Sequence, residues 1–252
     1  MKKITAIIPT YNEADNIVAA IESLSFCDEI MVVDSFSEDE TVELAKQFTS
    51  NIVQRKYTGP ADQKNWAIPK AKYDWVFILD ADERVTPELA NEITSLLQKD
   101  DIEQDAFWIG RQSYFMGKQV NYSGWQKDKV VRLIRRDKCR YDNKQVHEEI
   151  DTTNLKVGIL QEKMIHYTYK SRDHFLAKMD RYAKWSAQDH LAKTSKVTWF
   201  HLNVKPAARF FKHFVLQLGF LDGKVGYEIS RIMAWGVKQR YEYLLEMLSN
   251  SK

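Results

Sequence analysis

At 252 residues and 44% hydrophobic, the chain is long enough for one large α/β domain with an appendage and can fill a sizeable core, which excludes a disordered or fibrous protein. A formal net charge of +2 excludes a nucleic-acid binder driven by overall charge, so no nucleic-acid partner is expected. The two cysteines, Cys27 and Cys139, lie far apart and make no disulfide framework, and no apolar run reaches the roughly 20 residues that span a bilayer.

The chain opens directly on the strand pattern "ITAIIP", with no segment resembling a signal peptide, so a cytoplasmic location is expected. A helix follows from about Glu13, with Asn12 as its cap and Ile17, Ile21 and Leu24 on one face. "EIMVVD" reads as the second strand, "SEDETVELAKQF" as a helix and "NIVQRKY" as a third strand. Pro69 closes the next short helix, and "DWVFILD" is the fourth strand. In "TPELANEITSLL", Thr86 is placed as N-cap and Pro87 at the first helical position, with Leu89, Ile93 and Leu96 inward. Strands alternating with helices in this way build a parallel sheet covered by helices.

Ligands of such open sheets sit at the carboxyl ends of the strands. There the sequence places "PTYNE", "DSFSED" and "DADE". The last crowds Asp80, Asp82 and Glu83 into four positions, a self-repelling cluster unless a cation or a proton transfer uses the charges. No G-x-G-x-x-G follows the first strand, and neither a phosphate loop nor a G-x-S-x-G elbow is present, so the ordinary dinucleotide, ATP-loop and hydrolase readings lose their weight.

"ITAIIPTYNEADNI", "VVDSFSEDET" and "FILDADE", in this order and at these separations, resemble the inverting family-2 glycosyltransferases of the GT-A fold. The resemblance implies a Rossmann-like mixed sheet with helices on both faces, binding a UDP-sugar together with Mg²⁺ or Mn²⁺. Expulsion of a nucleoside diphosphate needs its growing charge neutralised, and carboxylates in a tight loop suit a hard divalent cation. By resemblance, Asp80 and Asp82 serve the metal, Asp80 also reaching the ribose; Asp34 accepts from the base or ribose. Pro9, Tyr11 and Glu13 match the wall around the nucleotide, and Lys64 falls near the diphosphate. The bland alternatives are a helix cap for Asp34, a solvated charge for Lys64 and a first-turn acid for Glu13.

The second half carries the strand patterns "AFWIGRQSYFM", "KVVRLIRR" and "LKVGILQEKMIHY". Direct displacement needs a base on the acceptor hydroxyl, opposite the leaving diphosphate. Glu148 in "VHEEI" is the candidate, with neighbouring Glu149 as the alternative and His147 as a possible acceptor contact. "HEEID" lacks the second histidine of a zinc-protease motif. His166 is a candidate for contact with the diphosphate or metal. The basic residues between Lys127 and Arg140, Arg132 among them, suit a phosphorylated acceptor, or else form a solvated charge run.

From Ser171 the composition changes to helical. "KPAARFFKHFVLQLGF" sets Phe210, Phe211, Phe214 and Leu218 against Lys205, Arg209 and Lys212, a pattern suited to an anionic leaflet or to packing on the rest of the protein. "VHEEI", "MIHYTY" and "GFLDGKVG" extend the resemblance to bacterial glucosyltransferases of the lipopolysaccharide inner core. That implies glucose transfer to a lipid-linked or phosphorylated glycan, by an enzyme peripheral on the inner face of the cytoplasmic membrane. The expected organisation is a catalytic domain over 1–170, with a nucleotide-sugar half (1–105) and an acceptor half (106–170), then a C-terminal helical extension over 171–252. A polyprenyl-phosphate glycosyltransferase and a non-catalytic sugar-nucleotide-binding scaffold remain the alternatives. Phe36 and Glu38 stand where the broad family often has small residues, and the donor sugar stays open.

Overall fold

The structure, a computed structural model, describes residues 2–142, 149–169 and 171–250. Two compact units are present, residues 1–111 with 128–166 and residues 112–127 with 167–252. The expected division lay between residues 170 and 171. The units part slightly earlier, and residues 112–127, expected in the acceptor half, belong with the C-terminal helices.

In the first unit β1 (Ile4–Thr10), α1 (Ala14–Glu22), β2 (Glu29–Asp34), α2 (Thr41–Ala45), β3 (Ile52–Gln54), α3 (Pro60–Ala67), β4 (Trp75–Ile78), β5 (Glu83–Arg84) and α4 (Pro87–Leu97) follow in order. β6 (Ala106–Phe115), β7 (Lys118–Gln119), β8 (Lys129–Arg135) and β9 (Val157–Tyr169) come next, and β6 and β9 end in residues of the second unit. The sheet order is β3-β2-β1-β4-β8-β6-β9-β5. β3, β2, β1 and β4 are parallel, while β8 runs antiparallel to β4 and to β6. This is the GT-A fold, a mixed sheet with a C-terminal helical region.

Burial explains the arrangement. β1 and β4 are apolar on both faces, and Ile4, Ala6, Ile8, Trp75 and Phe77 pack with Ile17, Ile21 and Leu24 of the α1 region and with Leu89 and Ile93 of α4. Ile7, Val33, Ile78 and Ile134 pack against Ala61, Ala67 and Ile68 of the α3 region. Such two-sided burial is what a parallel strand requires. Thr86 caps α4 as expected, accepting from the Leu89 amide at 3.2 Å. Asn12 does not cap α1. Its backbone is left-handed (φ 53°) and its side chain accepts from the Glu38 amide at 2.8 Å, tying the loop after β1 to the loop after β2.

In the second unit, α5 (Arg172–Leu191) and α7 (Gly223–Asn250) pack together, with a shorter helix between them: π-helical turns over Phe200–Val204 and Lys212–Leu216 flank α6 (Lys205–Phe211). Its cores gather Phe115, Trp125, Tyr169 and Phe175 with Ile229 and Ile232, and Ala187 and Val197 with Val237, Tyr241 and Leu244.

Candidate active site

Because β1, β2 and β4 are parallel, their carboxyl ends share one edge of the sheet, with Thr10 beside Asp34 and Ile7 beside Ile78. Pro9 lies in β1 near that end, Tyr11 beyond it is more than half exposed, and Glu13 accepts from the Asn16 amide group at 2.5 Å. Asp34 is fully buried, accepting from the Ser37 amide and hydroxyl and from Gln54 Nε2 at 2.9 Å. Its first role is therefore to hold the loop after β2.

After β4 the chain turns back on itself. The Glu83 amide donates to the Asp80 carbonyl at 2.9 Å and the Glu83 carboxylate accepts from the Asp80 amide at 3.1 Å. Glu83 is wholly buried and also accepts from Arg132 (2.7 Å) and Arg111 (3.1 Å). Arg111 holds Asp128 with two bonds of 2.9 Å. Asp80 pairs with Arg132 and, at 3.2 Å, with Lys64 of α3. Burial alone would raise the Asp80 carboxyl, but Arg132 and Lys64 overcome it and hold the group well below the usual carboxylate range. Burial likewise opposes the Arg132 charge, and Asp80 and Glu83 raise its pKa regardless. Asp80 and Glu83, two of the acids that looked self-repelling in the sequence, are thus balanced by Lys64, Arg111 and Arg132.

Asp82 stands outside this network. β5 pairs with β9 so that Glu83 faces His166, and this register brings His166 Nε2 to 3.6 Å from Asp82 Oδ2. His166 Nδ1 is buried with no hydrogen-bond partner among the described residues. No three His, Cys, Asp or Glu side chains gather as a ligand set among the described residues. Where a cation arrives with a diphosphate, one or two protein groups plus phosphate oxygens and water suffice. Asp82, with His166 in reach, fits that requirement. Asp80, expected as a second ligand, has its oxygens engaged by Lys64 and Arg132 instead.

The expected acceptor contact Arg132 is only 3% exposed and serves the acidic turn instead. Val131, Arg132, Leu133 and Ile134 of β8 are all buried, so both faces of the strand are covered there and alternation gives it no solvent face. Other members of the basic run are also engaged: Lys138 with Asp105 (2.6 Å), Arg136 with Asp74 and Asp137, and Arg135 over Trp75. His147 and Glu148 lie outside the described residues. Just before them, Tyr141 is clamped by Asn65, whose side chain accepts from the Tyr141 amide (2.8 Å) and donates to its carbonyl (2.9 Å). The Lys64 ammonium lies 5.1 Å from the Tyr141 ring. Asn65, Tyr141 and Arg111 carry the site's geometry but had no signal in the sequence beyond neighbouring a motif, and Glu83 was marked only as a member of the acidic cluster.

At this strand-end edge of a GT-A fold a buried aspartate closes β2 and an acidic turn follows β4. Residues 5–160 match the family described as Glycosyl transferase family 2, and the chain belongs to that family. An uncharacterized glycosyltransferase of Rickettsia felis is 29% identical over 269 residues, an alignment covering 100% of this chain and 93% of the relative. The lipopolysaccharide core biosynthesis glycosyltransferase LpsC of Rhizobium meliloti is 27% identical over 255 residues, covering 94% and 93%. Among solved structures, Staphylococcus aureus TarS 1-349 in complex with UDP superposes with a TM-score of 0.50 at 16% identity, covering 99% of this chain and 92% of that one, a likeness of fold.

Proposed function

We propose that the protein transfers a hexose, glucose first among the candidates, from a UDP-sugar to a lipopolysaccharide-core or similar membrane-linked glycan, inverting the anomeric centre in one displacement. The observation that carries the reading is the meeting of Asp34, Lys64, the acidic turn and His166 at one edge of the sheet, in a chain similar to LpsC over nearly its whole length. Tyr11 offers an exposed ring beside the loop after β2 for the nucleotide base, and Asp34 keeps that loop in place. Lys64, now on Asp80, brings an ammonium to the turn and is suited to a diphosphate oxygen. Asp82, with His166 beside it, would hold Mg²⁺ or Mn²⁺; when bound, the cation neutralises charge on the leaving diphosphate. Glu148 is the proposed base. An acceptor of this kind sits in a leaflet, so the proposal includes a peripheral position on the inner face of the cytoplasmic membrane.

Calorimetric titration with UDP and UDP-sugars, with and without Mn²⁺, tests the reading alongside Asp82→Asn. Metal-dependent UDP binding that the substitution removes is the expected result. Absence of binding to any uridine nucleotide, with or without metal, would end the transferase reading.

A further inference from the structure

The helix between α5 and α7 has two faces of opposite character. Inward lie Leu202, Phe210, His213 and Phe214: Phe210 and Phe214 stack at 5.2 Å and meet the Tyr227 ring of α7 edge-on, while His213 Nδ1 is 2.8 Å from the Ser123 carbonyl. Lys205 is turned in as well, donating to the Tyr241 hydroxyl at 2.7 Å. The outer face is the surprise. Trp199 is 72% exposed, Phe200, Phe211 and Val215 are exposed, and Leu216 is 67% exposed, followed by exposed Leu218, Phe220 and Leu221. Phe200, Val204, Ala208, Phe211 and Val215 recur every three or four residues, so they form a stripe along the helix, which over residues 200–216 is roughly 25 Å long. No buried side chain is found in α6. Apolar surface on this scale marks an interaction site.

We infer that this stripe, from Trp199 to Leu221, is the element that docks the protein in the plane of an anionic lipid bilayer. Charge selects the occupant. Between Lys193 and Arg231 there are seven Lys or Arg and two acids, and both acids are engaged: Asp222 accepts from the Asn121 and Tyr122 amides and the Ser123 hydroxyl, and Glu228 pairs with Arg172 and Arg231. Lys196, Lys212 and Lys224 are exposed, at either end of the stripe and within it. A second copy is disfavoured, because a two-fold interface would set this basic rim against itself. An anionic leaflet offers acyl chains to the aromatic stripe and phosphates to the lysines. No helix among the described residues is long and apolar enough to cross a membrane, so the helix lies along the surface. The inference deepens the acceptor reading above and rests on it for the choice of leaflet. Of the residues the sequence set together there, Phe211, Leu218 and Lys212 lie on this outer face, while Phe210, Phe214 and Lys205 are turned inward.

Flotation of the full chain with phosphatidylglycerol-containing vesicles tests it, against phosphatidylcholine alone. The wild type is expected to float with the anionic vesicles. Trp199→Ser with Leu216→Ser should lower the partition at least about tenfold, and Lys212→Gln and Lys224→Gln about fivefold each. All four side chains are exposed, so the variants keep the wild-type melting temperature. Wild-type flotation by the double variant would overturn the inference. So would a wild-type dimer, seen by sedimentation without any flotation, that the double variant makes monomeric. UDP titration of the same samples separates this from the transferase reading: a protein that floats through the stripe yet binds no UDP supports the docking surface while ending the other.

Discussion

Glu83→Gln tests whether the acidic turn is held by charge balance. Lys64, Arg111 and Arg132 face Asp80, Glu83 and Asp128, three positive charges against three negative. Glu83 is fully buried, so its neutralisation leaves one uncompensated positive charge beside the interior. Removing one partner of a buried ion pair costs about 3–5 kcal/mol. The lower end applies here, because Arg132 keeps Asp80 and Arg111 keeps both bonds to Asp128. For a chain of this size about 3 kcal/mol lowers the melting temperature by roughly 6–12 °C. The assay is a thermal melt without nucleotide, next to Asp82→Asn, which lies outside the network and should stay within about 0.5 kcal/mol of wild type. A Glu83→Gln protein that melts like the wild type would refute the reasoning and return Glu83 to the pool of ligand-facing acids.

Glu148→Gln, on the proposed mechanism, keeps UDP binding and lowers transfer by about 10²–10⁴-fold; loss of both in titration and radiolabel transfer assays would assign Glu148 to structure. His213 gives a pH signature. Burial pushes its imidazole down, the Ser123 carbonyl opposes this, and Arg209 and Lys212 add to the lowering. The unfolded chain therefore binds the proton first, and stability is full above the ordinary value near ~6.5 and is lost as pH falls below it. The melting temperature should drop between pH 7.5 and 5.5 more in the wild type than in His213→Asn, and equal slopes would remove His213 as the cause.

What the sequence made legible was local. Thr86 before Pro87 and the apolar runs of β1, β2 and β4 needed only near neighbours, and the parallel order followed from strand and helix alternation. The role of Glu83 was hidden because Arg111 and Arg132 come from β6 and β8, which antiparallel pairing alone brings to the turn. Arg132 was misjudged for a related reason: a basic residue in a strand looks solvent-facing until both faces of the strand prove to be covered. Which side of the helix after α5 is covered stayed open in the sequence, because only the fold brings Tyr227 against Phe210 and Phe214 and Ser123 against His213.

The balanced turn bears on the proposed metal. A nucleoside diphosphate would add at least two negative charges beside ion-paired groups that already sum to zero. Lys64 can meet part of that charge only by leaving Asp80, and Asp80 is then left with Arg132 alone. Arg132 cannot follow, being buried and also bonded to Glu83. The remaining charge must arrive with the ligand, and Asp82, exposed by about a third and outside the network, is the carboxylate positioned to receive it. On the proposed mechanism cation and diphosphate would bind as one neutralised unit, with Asp82 as the carboxylate left to face them.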